Sequence, residues 1–163
     1  MTQKSDYSAD EWQTLVRAAP MAGLAVTLAS PNGPFGVMKE MFAVGMAIAD
    51  TLQKGSDNTL VKALIDDLKA RATTPQKPEG MDSPEKARAA AMQALQQVHE
   101  LLARKSTPEE AQGFKAWLHG IATRVAEASN EGGFLGFGGE KVSAAEREAL
   151  ASIGQTLGLT PTA

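Results

Sequence analysis

The chain of 163 residues contains no cysteine. That excludes disulfides, thiolate metal sites and cysteine nucleophiles, and it suits a reducing compartment. Aromatic residues are few, at 5%. Lysine and arginine form no cluster, and the net charge is −3. Phosphate recognition leaves a basic patch as its footprint, so no nucleic-acid partner is expected. Long hydrophobic runs are missing as well. The longest nearly uncharged stretches, Ala18–Ala29 and Met41–Ala49, are too short to span a bilayer. The N-terminal MTQKSDYSADEW lacks the apolar core of a signal peptide. The expectation is a soluble, cytoplasmic protein with no membrane span. Catalytic signatures are absent too. There is no Gly-x-Ser-x-Gly elbow, and His99 and His119 belong to no zinc or di-iron motif. Both histidines read as surface helix residues.

Helix signals fill the chain instead. Hydrophobic residues make up 43% and charged residues 21%, enough for one domain with a substantial core. Capping boxes stand at Ser8…Glu11, Thr107…Glu110 and Ser143…Glu146, and Ser83-Pro84 opens another helix. Apolar residues follow each start at helical spacing. The first helix carries Trp12, Leu15, Val16 and Ala19, and Pro20 is expected to kink or interrupt it. A second runs from about Phe35 to Lys54, with Gly55 as its stop. Val37, Met41, Val44, Ile48 and Leu52 share one of its faces; Met38, Phe42 and Met46 share another. A helix apolar on two faces is either central or covered by a partner chain. Gly45 in its middle costs roughly 1 kcal/mol relative to Ala, and close packing against another backbone is the expected reason.

The third helix, 58–72, buries Leu60, Val61, Leu64, Ile65 and Leu68, while Lys62, Asp66, Asp67 and Lys69 face water. Residues 73–82 read as a surface loop. The fourth and fifth helices form a hairpin, with stripes Ala87-Ala91-Leu95-Val98-Leu102 and Phe114-Trp117-Leu118-Ile121-Val125. The sixth ends at Gly158. Residues 1–7 and 159–163 read as frayed tails. No strand alternation of useful length occurs, so the fold class is all-α, a single-domain bundle of about six helices.

The segment Val26–Gly36 echoes Val125–Leu135, sharing Val, Ala, Ser, Gly and Phe at matching positions. An internally duplicated helix–loop–helix would account for this, and so would any two helices ending in a Ser/Gly turn.

The most unusual stretch is Val125–Glu146. Its glycine-rich loop, Gly132–Gly139, holds Phe134, Leu135 and Phe137. Glycines can turn backbone N–H groups toward an anion, but no P-loop ending or preceding strand is present. The three apolar side chains either plug the core or form a sticky interaction loop. Asn130, Glu131, Glu140 and Glu146 offer hard oxygen ligands suited to Ca²⁺ or Mg²⁺, without EF-hand spacing. The run Ala128-Ser-Asn130-Glu131-Gly132, then Val142-Ser143-Ala-Ala-Glu146, then Leu150, Ile153 and Leu157-Gly158, resembles the repeated half of the tellurite-resistance TerB-like helical family. The likeness covers the C-terminal helix–loop–helix. That family usually carries Asp-Gly in a short turn, where this chain has Glu-Gly and a longer insertion.

These observations point to a non-catalytic helical interaction or stress-associated module that forms a homodimer or binds another protein. The alternative is a metal-ion or small-ligand binding protein using residues 130–146. No catalytic residue can be named.

Overall fold

The computed structural model describes residues 2–29, 34–71, 83–130 and 142–159, with backbone alone at 34–41, 52, 71, 129 and 130. Six α-helices account for most of these residues: α1 (Ala9–Thr27), α2 (Pro34–Lys54), α3 (Thr59–Arg71), α4 (Pro84–Lys105), α5 (Pro108–Asn130) and α6 (Ala144–Thr156). No strand occurs among them. The fold is an all-helical bundle, as the periodicity predicts.

Local chemistry sets the helix ends. Ser8 and Ser143 each accept a hydrogen bond from the backbone of the glutamate three residues on, and that glutamate bonds back to the serine N–H. Ser83 caps α4 with Pro84 behind it. Asn58 caps α3, its Oδ1 accepting from Val61 N at 3.0 Å. Gly55 and Gly158 adopt positive φ, 77° and 67°, just past the ends of α2 and α6. Only glycine takes that conformation without strain.

Helices α1 and α5 form the centre, and each touches every other helix. Helices α2 and α3 flank one side of this pair; α4 and α6 flank the other. The core joins Trp12, Leu15, Leu60, Leu64, Leu95, Leu102, Phe114, Leu118, Ile153 and Leu157, all essentially inaccessible to solvent. Full burial of each such side chain stabilises the fold by about 1.5–3 kcal/mol.

That scale accounts for which of the two outcomes expected at Pro20, a kink or a break, is absent. Pro20 does not interrupt α1, which continues through it. A proline inside a helix costs about 3 kcal/mol. Here the ring is exposed, and buried residues stand on both sides of it: Trp12, Leu15, Ala18 and Ala19 before, Ala22, Ala25 and Val26 after. Their combined burial exceeds the cost of one missing hydrogen bond.

The amino-terminal residues differ from expectation. Residues 2–8 are a docked strap, not a frayed end. Lys4–Asp6 form a 3₁₀ turn, and Tyr7 is buried against Trp12 with ring centroids 5.9 Å apart. Tyr7 Oη lies 2.8 Å from Ser106 Oγ. Lys105 Nζ donates to Asp6 O at 3.0 Å and reaches Glu11 Oε2 at 2.8 Å. The strap therefore closes over the α4–α5 turn. The loop at 73–82, the tail beyond Leu159, and much of both echoing segments lie outside the described residues.

Candidate functional site

Of the residues singled out at the glycine-rich loop, Glu131, Phe134, Leu135, Phe137 and Glu140 lie outside the described residues. Asn130 is the last residue of α5, described in its backbone alone. Glu146 is described, and it is 2% exposed. Its Oε2 accepts from Ser143 N at 2.8 Å, so this carboxylate is engaged in starting α6. Among the described residues no cluster of three or more His, Cys, Asp or Glu side chains is arranged to hold a metal ion.

Three polar nodes are built with more care than the sequence suggests. The first centres on Glu110. Its carboxylate accepts from Thr2 N at 2.8 Å, from Thr2 Oγ1 and from Thr59 Oγ1 at 2.6 Å. Longer contacts come from Thr107 N and Oγ1. Asn58 Nδ2 also donates to the Glu110 carbonyl at 2.8 Å. Burial pushes this carboxyl upward. The donors of Thr2 and Thr59, with backbone donors from Thr2 and Thr107, outweigh it and hold the group at about 2. A carboxylate so fully engaged ties the strap, α3 and α5 together. It is not poised to exchange a proton near neutrality.

The second node is Asp67, which the amphipathic pattern assigns to water. It instead accepts from Trp12 Nε1 at 2.9 Å and pairs with Lys4 Nζ at 2.5 Å. The ammonium also sits 5.7 Å from the Trp12 ring centroid. A buried indole N–H needs an acceptor, and Asp67 supplies it.

The third node joins α6 to its neighbours. His99 Nδ1 lies 2.9 Å from Leu157 O, and His119 Nε2 lies 3.1 Å from Leu150 O. Carbonyls only accept, so each ring nitrogen carries the proton. Neither histidine is the free surface residue its isolation in sequence suggests. Gly158, just past α6, makes room for His99, while His119 stands at ordinary contact distance from Gly154. A Cβ on Gly158 would stand 2.6 Å from His99 Cε1, and one on Gly154 would stand 3.5 Å from His119 Nε2.

Lys115 is a buried cation that the pattern did not flag. It is 7% exposed on α5, and desolvation lowers its amine below the ordinary value. A shallow depression of about 290 Å³ lies between α1 and α4, lined by Asp10, Glu11, Thr14, Gln97, Glu100, Leu101 and Arg104. Glu11 is already paired with Lys105, and the lining presents no nucleophile beside a base.

The feature left without a partner among the described residues is apolar. On α2, Ala47 is buried, and Val44 and Ile48 pack against the core. Thr51 Oγ1 accepts from Trp117 Nε1 at 3.1 Å, and Asp50 bridges Arg124 at 2.6 Å and Lys54 at 2.9 Å. These contacts fix the rotation of α2. They leave Phe42 71% and Met46 55% exposed, the two exposed large hydrophobic side chains among the described residues. Gly45, between them, is exposed, and a Cβ there would meet nothing within 4 Å. The close backbone approach expected at Gly45 does not occur among the described residues. Gly23 of α1 provides that approach instead, its added Cβ falling 2.2 Å from Val44 Cγ2.

Among the described residues no helix is long and apolar enough to cross a membrane. Comparisons with protein-family models, with curated proteins and with solved structures found no match.

Proposed function

We propose that the protein is a non-catalytic helical interaction module whose contact surface is the outward face of α2. The observation that carries this is the exposure of Phe42 and Met46 at 71% and 55% on a helix whose opposite face is anchored in the core. An exposed, rimmed apolar patch on a small domain is the usual mark of a partner site. Polar groups border it: Asp50, Lys54 and Arg124 form a linked ion group along one edge. The polar nodes support the same reading from the other direction. Glu110, Asp67, His99 and His119 each make a hydrogen bond that holds parts of the bundle together. The cysteine-free composition suits a cytoplasmic setting, which the proposal adopts. The TerB-like likeness of residues 128–158 is compatible with it, as a helical scaffold carrying a variable corner.

The test is the double variant Phe42→Ser/Met46→Ser. Exposed residues outside the core change stability by about 0.5 kcal/mol or less, which is roughly 1–2 °C for a domain of this size. The melting temperature is expected to hold within that range, while binding of an apolar dye and retention on a hydrophobic resin fall. A loss of several degrees would mean that the face belongs to the fold and is not a spare contact surface.

A further inference from the structure

The described part of the α2 face reads Phe42, Gly45, Met46 and Ala49, and helical spacing places these four together. Their spacing is the same read in either direction, three residues, then one, then three. Their sizes run large, small, large, small, which is the opposite order when read backwards. A second α2 running antiparallel, with a two-fold axis between Gly45 and Met46, sets Phe42 over the partner's Ala49 and Met46 over the partner's Gly45. Every large side chain then meets a small one. A parallel two-fold would set Phe42 against itself and leave a void at Gly45.

Two further observations favour a second copy. No charged residue lies between Glu40 and Asp50, so a self-facing contact brings no like charges together at its centre. Among the described residues nothing packs closely on Gly45. The added Cβ of Gly23 or Gly158 would strike a neighbour, whereas that of Gly45 would meet open space. Gly120 is open in the same way, on α5 one turn from Arg124, whose guanidinium binds Asp50 of α2. The open surface thus continues from α2 onto the adjoining helix.

We infer that the chain self-associates through an antiparallel α2–α2 contact in which Phe42 fills the notch at the partner's Ala49 and Met46 the notch at the partner's Gly45. This rests on the proposed role of the α2 face and names its occupant. A 21-residue helix is about 31 Å long and about 10 Å wide, a footprint of roughly 300 Å². Stable complexes bury about 800 Å² per partner. The dimer is therefore weak, and its signature is a mass that rises with concentration.

The test is sedimentation equilibrium of the whole chain from about 10 µM to about 1 mM, covering weak affinities. Four proteins are compared: wild type, Phe42→Ala, Ala49→Phe and the exchange Phe42→Ala/Ala49→Phe. Wild type is expected to approach twice the monomer mass. Each single variant should weaken association about tenfold or more, because one leaves a hole and the other sets two rings against each other. The exchange should restore it to within about threefold, since it reverses the order of large and small. Circular dichroism checks that all four stay folded. A constant monomer mass for wild type would overturn the inference. So would a dimer indifferent to the single variants, or an exchange no tighter than either of them. None of these results bears on whether the face is spare, which the melting temperature of the serine variant decides separately.

Discussion

Replacing Glu110 by Gln tests whether one carboxylate joins three parts of the bundle. The wild-type group is held at about 2, against an ordinary 4.5. A drop of that size corresponds to roughly 3.4 kcal/mol at about 1.36 kcal/mol per pH unit. The carboxylate is still partly open to water, so screening reduces this to about 1–2 kcal/mol. The sign follows from linkage. The unfolded chain binds the proton more readily than the folded one, so the stabilisation is complete above about pH 4.5. It is lost as the pH falls from there toward 2. Glutamine keeps an acceptor for Thr2 and Thr59 but carries no charge and does not titrate. Urea unfolding at pH 7 should show the variant about 1–2 kcal/mol less stable, and the two proteins should converge near pH 2. Glu11, Asp50 and Glu85 are also held below their ordinary values, but they titrate in both proteins and cancel in the difference. A gap that stays constant from pH 7 to pH 2 would refute the electrostatic account and leave only lost packing.

Other perturbations probe separate parts of the structure. Gly23→Ala drives a methyl group into Val44, and overpacking of this kind costs about 1–3 kcal/mol, seen as a lower urea midpoint. An unchanged midpoint would mean that α1 and α2 can separate freely. Gly158→Ala must place a side chain at φ 67° and against His99, so a loss of about 1–2 kcal/mol is expected. Hydrogen exchange should localise that loss to α6, and uniform acceleration across all helices would contradict a local latch. The Phe42→Ser/Met46→Ser pair should leave the melting temperature alone and abolish concentration-dependent mass.

Much of the fold is legible in the sequence because helix starts are local chemistry. Ser8, Ser83 and Ser143 need only their own next few residues to cap a helix. Pro20 shows the limit of local rules, since its cost is offset by residues from the five other helices that cover α1. Asp67, His99 and His119 show the same limit for polar groups. Each sits at a position that looks solvent-facing by periodicity, and its partner is at least 31 residues away in sequence. Spacing can show that α2 is apolar on two faces. Which face turns outward depends on Trp117, Arg124 and Gly23, and nothing within α2 itself encodes their positions. Lys115 gave no signal at all, because a lysine beside a phenylalanine on a helix is ordinary until its neighbours close over it.

The central place of α1 has a consequence for synthesis. This helix is made before α4 and α5, from which its cover largely comes. The strap before it waits longer still, since Thr2 and Glu110 are 108 residues apart, or roughly 5–20 s at about 5–20 residues per second. Throughout that interval α1, which carries Trp12, Leu15 and Val26, lacks the contacts that α5 supplies. A chain made in this order completes its centre only when α5 has followed α1.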